Sequence, residues 1–370
     1  MKSSKTTDDE GDAGMRVMIL TPRAFPDISG NAITVERWRR ALAKKGIAVR
    51  VLACVGLESL ALKNHLEQFR PDIIHIHHAF KSGALLLNTL SEMASMRVAI
   101  VASPGGTDIN EDFGTVGKKE IIIKVFELAR VIIAQSPSVM ERLENLLPAT
   151  KRKFLCVPKA VCWLGEEPFD LRKTAECSPE DMLFFLPSGI RPVKGNVECL
   201  RAMKQVYDRR PHTRFVAAGP SIDSEYAGVF AKEVGTLRSF ARWIAAIPPT
   251  AMQAAYQGAD IVLNTSFSEG LSNALIEAIA ADCPVLASDI PGNRWPVLGT
   301  SGDLPVGLLF DLNNPEDFIR KALQLIDDGV LRESFRQAAQ LRRSTWPREE
   351  DEGDGLAAAY RTALVQRFPA

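Results

Sequence analysis

Residues 259–278 read ADIVLNTSFSEGLSNALIEA. Ala259–Thr265 is a short apolar run of the kind buried on both faces of a parallel sheet. Ser268-Glu269-Gly270 breaks it, and an apolar stretch of helical character follows. A strand leading through a glycine-containing loop into a helix is part of a βαβ unit. The same rhythm extends both ways, with strands expected at Met182–Pro187 (MLFFLP), Thr213–Ala218, Phe240–Ala245 and Pro284–Ser288. An earlier set comprises Arg16–Thr21 (RVMILT), Ala48–Ala53, Asp72–His77, Arg97–Ser103 and Arg130–Gln135. The pattern predicts an α/β protein with two Rossmann-like parallel sheets, each covered on both faces.

Residues 163–180 (WLGEEPFDLRKTAECSPE) interrupt the rhythm with charge and proline. The expected organisation is a polar, disordered leader over 1–14, an N-terminal domain over 15–170, a C-terminal domain over 171–350, and a last helix over 351–370. After PRAFPDISGN, the first helix should bury Val35, Trp38, Ala41 and Leu42, carry Arg37, Arg39 and Arg40 elsewhere, and stop at Gly46. The last helix, from about Gly355 to Phe368, carries Leu356, Ala359, Tyr360, Ala363 and Leu364 at helical spacing, so it must pack on something.

The chain has 370 residues, 46% of them hydrophobic, enough for two cores. Lys+Arg and Asp+Glu are each 45, and this balance argues against a nucleic-acid binder, which needs a surplus of positive charge. The six cysteines, Cys54, Cys156, Cys162, Cys177, Cys199 and Cys283, are scattered with no C-x-x-C pair. That argues against structural zinc or a disulfide scaffold and points to the cytoplasm. No apolar run suits a transmembrane helix or a signal peptide. Peripheral contact with a membrane remains compatible with a neutral total, since one face can still be basic. Nothing in the sequence sets an oligomeric state.

In open α/β sheets ligands sit beyond the carboxyl ends of the strands, and the loops there carry the candidate chemistry. Glu269 and Glu277 are eight residues apart, about 12 Å if helical throughout. Two carboxylates so placed can grip separate parts of an extended polar ligand. Glu277 lies among apolar neighbours and needs a partner, either ligand hydroxyls or a buried arginine. Gly189, Arg191 and Lys194 follow Met182–Pro187 and suit a negatively charged leaving group. In the N-terminal half, Gly30 and Asn31 open the first helix. His75 and His77 alternate onto one face at the end of the Asp72–His77 strand, and His78 follows. Gly106, Thr107 and Asp108 follow the next strand. The histidines alone do not make a metal site, and no metal is expected.

The Glu-x7-Glu block SEGLSNALIEA, with PVLASDIPGN after it and GIRPVKG before it, resembles the group 1 glycosyltransferases of family 4. SGNAITVERW and GGTDINED add to the likeness, which covers nearly the whole chain from residue 16. It implies the two-domain GT-B fold facing a cleft, with the C-terminal helix crossing back to the N-terminal domain. It also implies retaining transfer of a sugar from a nucleoside diphosphate to an unknown acceptor. Glu277 would bind the ribose hydroxyls. Glu269, as nucleophile or positioning group, and the N–H groups of Gly270, Leu271 and Ser272 would hold the donor sugar, with Asn273 and Gly189 also on the donor side. Arg191 and Lys194 would hold the diphosphate, although the family spaces its arginine and lysine more widely. Gly30, Asn31, Gly106, Thr107 and Asp108 would line the acceptor side. The family's histidine is replaced by Gly105, so His77, as a catalytic group, or His78 is expected to approach the acceptor. No cofactor is implied, and the absence of Asp-x-Asp between the strands fits metal-independent chemistry. Two rival readings share the shape: a sugar-nucleotide epimerase and a non-catalytic nucleotide-sugar binder.

Overall fold

The computed structural model describes residue 12, residues 14–93 and residues 98–365. The chain forms two compact units, Met1–Cys162 with Pro347–Ala370, and Trp163–Trp346. The divisions fall at 162/163 and 346/347 rather than at 170/171 and 350/351. Trp163 is already committed to the second unit, where its ring lies 5.8 Å from Tyr256, and Glu167 N–H donates to the Thr250 carbonyl. Most of the expected leader lies outside the described residues. Asp12 does not fit it: the side chain is buried and accepts a 2.7 Å bond from Arg361.

The first unit holds a parallel sheet of order β2-β1-β3-β4-β5-β6. Its strands are β1 Arg16–Thr21, β2 Ala48–Ala53, β3 Ile73–His77, β4 Ala99–Ser103, β5 Val131–Ala134 and β6 Phe154–Cys156. The second holds a parallel sheet of order β12-β11-β10-β7-β8-β9. It comprises β7 Met182–Pro187, β8 Thr213–Ala218, β9 Ala241–Ile244, β10 Ile261–Asn264, β11 Val285–Ser288 and β12 Gly307–Phe310. Apolar clusters cover both faces of each sheet, as continuous apolar strands require. Strand order reverses direction between β1 and β3 and again between β7 and β10. Those reversals open a crevice beyond the strand ends, where α/β sheets take their ligands.

The first helix, Gly30–Ala43, starts at Ser29, whose hydroxyl accepts from Ala32 N–H at 3.2 Å. It buries Val35, Trp38, Ala41 and Leu42 as the periodicity requires, but Arg37 is buried too. Its partner is Glu352 on the final helix, Glu349–Val365, which lies on the same face of the first sheet. Glu352 is 0% exposed. It accepts from Arg37 Nε at 2.5 Å and Nη2 at 2.9 Å, from Trp38 Nε1 at 2.7 Å and from Gln135 Nε2 at 3.1 Å. Leu356, Ala359, Tyr360 and Ala363 are buried beside it. Leu364 instead points outward, and residues 366–370 lie outside the described residues. Among the described residues no helix is long and apolar enough to cross a membrane.

Candidate functional site

In the second unit the loops after β7 and β10, strands that pair side by side, are sewn together. Gly195 has φ +61°, and a Cβ there would sit 2.6 Å from the Thr265 carbonyl oxygen, so only glycine permits the approach. Thr265 Oγ1 donates to the Lys194 carbonyl at 2.9 Å, and Phe267 N–H donates to the Val193 carbonyl at 2.8 Å. Gly189 faces the loop after β8 instead, where a Cβ would meet the Ile222 side chain at 2.9 Å.

This sewing brings Lys194 to Glu269. Lys194 Nζ donates to Glu269 Oε1 at 2.5 Å, Ser266 Oγ donates to the same oxygen at 2.6 Å, and Asn264 Nδ2 approaches it at 3.4 Å. Burial pushes the Glu269 pKa up. The Lys194 charge, with the hydrogen bonds from Lys194, Ser266 and Asn264, outweighs that and holds it below the usual carboxylate value. All three donors converge on Oε1, and Oε2 has no partner among the described residues. The N–H groups of Gly270, Leu271 and Ser272 likewise find no acceptor there, and the Arg191 guanidinium forms no ion pair. The Arg191 backbone is engaged, its N–H with Asn196 Oδ1 at 3.2 Å and its carbonyl with Lys194 N–H at 3.0 Å. Among the described residues the unit thus gathers a fixed carboxylate, a row of free backbone donors and a free cation at one strand reversal.

The helix that follows is Asn273–Ala280, so Glu269 through Ser272 are loop, and the 12 Å helical rise expected between the two glutamates does not apply. Glu277 sits in the helix. Its expected partner was a ligand or an arginine; the structure supplies the buried Tyr256 hydroxyl, which donates to Oε2 at 2.8 Å. Burial, and then the Glu277 charge, push the Tyr256 pKa up, so the phenol stays a donor.

A polar layer beneath the loop had no role in the sequence reading. Asn264 Nδ2 donates to Ser272 Oγ at 2.8 Å, and Asn293 Nδ2 donates to Asn264 Oδ1 at 3.2 Å and to the Ser288 carbonyl at 3.0 Å. Ser288 Oγ donates to the Ser266 carbonyl at 2.6 Å. Gly292 backs the loop so closely that a Cβ would stand 2.4 Å from the Glu269 carbonyl oxygen. The available signal was Asn264, an amide ending an apolar strand, with Gly292-Asn293 after the next one.

In the first unit, Gly30 and Asn31 follow β1, and His77 and His78 end β3 and begin the loop after it, beside the other strand reversal. Trp38 stacks on His75 with centroids 4.9 Å apart and meets the His77 ring edge-on at 5.0 Å, confirming that both imidazoles share a face. His77 is buried with both nitrogens engaged: Nδ1 with Ser103 Oγ at 2.9 Å and Nε2 with Asn31 Oδ1 at 3.2 Å. Desolvation, with nearby His75, His78, Lys159 and Arg37, holds it neutral by lowering its pKa. Asp108 does not line an open surface. It is 0% exposed, and its carboxylate accepts from Ala79 N–H at 2.7 Å, Gly105 N–H at 3.0 Å and Ile109 N–H at 3.1 Å, tying the loops after β3 and β4 together.

His78 has φ +77° and turns toward Thr107, which it meets through Nε2 at 2.9 Å; Lys81 N–H donates to its Nδ1 at 3.2 Å. Its ring fills the space beside Gly105, where a Cβ would be 2.8 Å from His78 Cδ2 and 2.9 Å from its Cβ. A side chain at 105 and His78 are therefore mutually exclusive. Gly105→Ala is expected to cost ~1–3 kcal/mol by overpacking. Adding His78→Gly, which suits the positive φ, should restore part of it. Calorimetry checks this, and an unchanged melting temperature in Gly105→Ala would show that the imidazole yields freely. Among the described residues no group of three His, Cys, Asp or Glu side chains is arranged to hold a metal ion.

Two parallel sheets, each with glycine-lined loops at its strand reversal and one helix returning to the first, define a GT-B glycosyltransferase architecture. Residues 170–342 match the glycosyl transferases group 1 family and residues 12–161 match Glycosyltransferase Family 4, so the chain belongs to this family of glycosyltransferases. It is 27% identical over 313 residues to glycosyltransferase 1 domain-containing protein 1 of Xenopus tropicalis, covering 82% of this chain and 86% of that protein. It is 25% identical over 318 residues to a D-inositol 3-phosphate glycosyltransferase of Segniliparus rotundus, covering 80% of this chain and 68% of that one. Among solved structures, sucrose-phosphate synthase from Thermosynechococcus elongatus superposes with a TM-score of 0.76 at 16% identity, over 94% of this chain and 98% of that one. The Anabaena HepE protein in complex with UDP and glucose gives 0.73 at 14% identity, over 94% of this chain and 100% of that one.

Proposed function

We propose that the protein moves a sugar from a nucleoside diphosphate to a hydroxyl of an acceptor, with retention and without a metal ion. The observation that carries this reading is the arrangement at Glu269: one oxygen fixed by Lys194, Ser266 and Asn264, the other open, and the N–H groups of Gly270, Leu271 and Ser272 free beside it. Free backbone donors at the start of a helix suit an oxyanion, and fixed donors need no reorganisation as charge develops on a leaving diphosphate. Arg191 adds a cation without a competing carboxylate, and Lys194 lies close enough to share its charge between Glu269 and the ligand. Glu277, steadied by Tyr256, takes the ribose hydroxyls, while Asn273 and Gly189 complete the donor side. Gly30, Asn31, Gly106 and Thr107 serve the acceptor. The HepE complex with UDP and glucose supports a nucleotide-sugar donor by analogy of fold.

A thermal-shift screen of UDP-, ADP- and GDP-glucose in EDTA tests the reading. A ligand at 100 times its dissociation constant adds about 2.7 kcal/mol, a readily measured shift. The stabilising donor, radiolabelled in the sugar, should then give free nucleoside diphosphate and a labelled product, still in EDTA. Full loss in chelator with recovery on magnesium or manganese would end the metal-free mechanism. An isomerised donor with no transfer would make the protein an epimerase.

A further inference from the structure

The first unit contains an unbroken row of buried hydrogen bonds running from the returning helix to the start of the first helix. Tyr360 Oη lies 2.9 Å from His75 Nδ1, and His75 Nε2 lies 2.9 Å from Ser103 Oγ. Ser103 Oγ lies 2.9 Å from His77 Nδ1, and His77 Nε2 lies 3.2 Å from Asn31 Oδ1. Tyr360, His75, Ser103 and His77 are all buried, and Asn31 is half-buried at the far end.

Each neutral imidazole carries one proton and one lone pair, and each hydroxyl has one proton to place. The Ser103 hydroxyl has no further acceptor among the described residues, so it cannot accept from both histidines without orphaning its own proton. The row therefore runs in one of two ways, all left to right or all right to left. Tyr360 decides between them. Its only hydrogen-bond partner among the described residues is His75 Nδ1. If His75 donated to it, the phenolic proton would be buried without an acceptor, which costs more than any bond in the row gains. The tyrosine therefore donates, His75 donates through Nε2 to Ser103, Ser103 donates to His77 Nδ1, and His77 donates through Nε2 to Asn31. Asn31 must then present its carbonyl oxygen inward. Its amide nitrogen has no acceptor among the described residues.

We propose that Tyr360, His75, Ser103 and His77 form a one-directional relay that turns the Asn31 amide nitrogen outward as a hydrogen-bond donor to an oxygen of a sugar or polyol acceptor. On this inference, which rests on the transferase reading, His77 is a positioning residue. Its lone pair is taken by Ser103, so it does not accept a proton from the acceptor hydroxyl. The relay also gives the returning helix a part in the acceptor side, because the residue that sets its direction is on that helix.

The test is nitrogen-15 NMR of histidine-labelled full-length protein without ligand. His75 and His77 should each appear as a single neutral form protonated on Nε2; protonation of Nδ1 in either ring would overturn the relay. Ser103→Thr and Ser103→Val then separate the hydroxyl from the shape. The threonine variant should keep both tautomers, and the valine variant should show exchange between tautomers at both rings. Identical His77 spectra in the two variants would also overturn it. Titrating myo-inositol and methyl α-D-glucoside while following the Asn31 side-chain amide tests the outward donor. The cross-peak should move in wild type and in Ser103→Thr, and several-fold less in Ser103→Val. No movement with either probe in wild type would reject Asn31 as an acceptor contact. The tautomer result needs no substrate, so it stands or falls separately from the transferase reading, which the nucleotide-sugar screen tests.

Discussion

Glu352→Ala is expected to lower the melting transition of the first unit by roughly 10 °C. The side chain is fully buried and is the shared acceptor of Arg37, Trp38 and Gln135, with Ala160 N–H a further donor at 3.3 Å. Replacing a buried pair by two apolar residues is often harmless, but removing one partner leaves the other charge uncompensated, at about 3–5 kcal/mol. Here the Arg37 guanidinium, 3% exposed, would lose its carboxylate, and the Trp38 and Gln135 donors would lose an acceptor. At about 2–4 °C per kcal/mol for a domain of this size, the shift lies between roughly 6 and 20 °C. Glu352→Gln should fall between: its oxygen still serves Trp38, but its amide would face Arg37. Calorimetry on the full chain reads both. A shift under about 2 °C for the alanine variant would mean that the returning helix is held by its apolar face alone.

That contact also marks where sequence reading stops. The central strands were legible because burial on both faces demands uninterrupted apolar residues, and β1, β7 and β8 occupy the expected spans, as does the edge strand β2. Two of the four sheet edges were not. β6 Phe154–Cys156 and β12 Gly307–Phe310 are short, partly exposed, and weakly patterned, so nothing in their composition separates them from loop. Gly307 reads as a breaker, yet it is there because a Cβ would strike the Val285 carbonyl oxygen at 2.0 Å. Arg37 reads as a surface residue because its partner lies 315 positions away.

The candidate site shows the same division. Glu269, Glu277, Arg191 and Lys194 stand out as charges in glycine-rich or apolar settings, and their chemistry suggests a ligand. What sequence does not carry is how they pair. Lys194 faces Glu269, 75 positions on, because Gly195 lets two loops touch. The histidines after β3 suggested catalysis, but burial and Ser103 make His77 part of an internal row. Asp108, expected to line the acceptor side, is consumed by three backbone N–H groups. Polar residues at strand ends can face either ligand or loop, and only the fold says which.

Lys194→Met should reduce sugar transfer by about 10²–10³-fold, the usual scale for removing one fixed stabilising group from an active site. It should also change how activity depends on pH. In the wild type, burial raises the Glu269 pKa, and the Lys194 charge with three hydrogen bonds more than reverses that, so the group ionises below its ordinary value. The carboxylate is then charged throughout the neutral range, and its contribution is lost only as pH falls through that depressed value. Without Lys194 the burial that raises the pKa is opposed only by Ser266 and Asn264. The acid limb of the kcat/KM profile should therefore move to higher pH in Lys194→Met. Glu269→Gln should lose as much activity with no such limb, since nothing remains there to titrate. Measuring all three from about pH 5 to pH 9 separates the roles of charge and contact. Were Lys194 only a diphosphate ligand, its loss would raise KM for the donor and leave the acid limb where it was. A shifted limb with a fall in kcat would mean that the Lys194–Glu269 pair acts as one unit, with the lysine keeping the carboxylate ionised as well as helping to hold the leaving group.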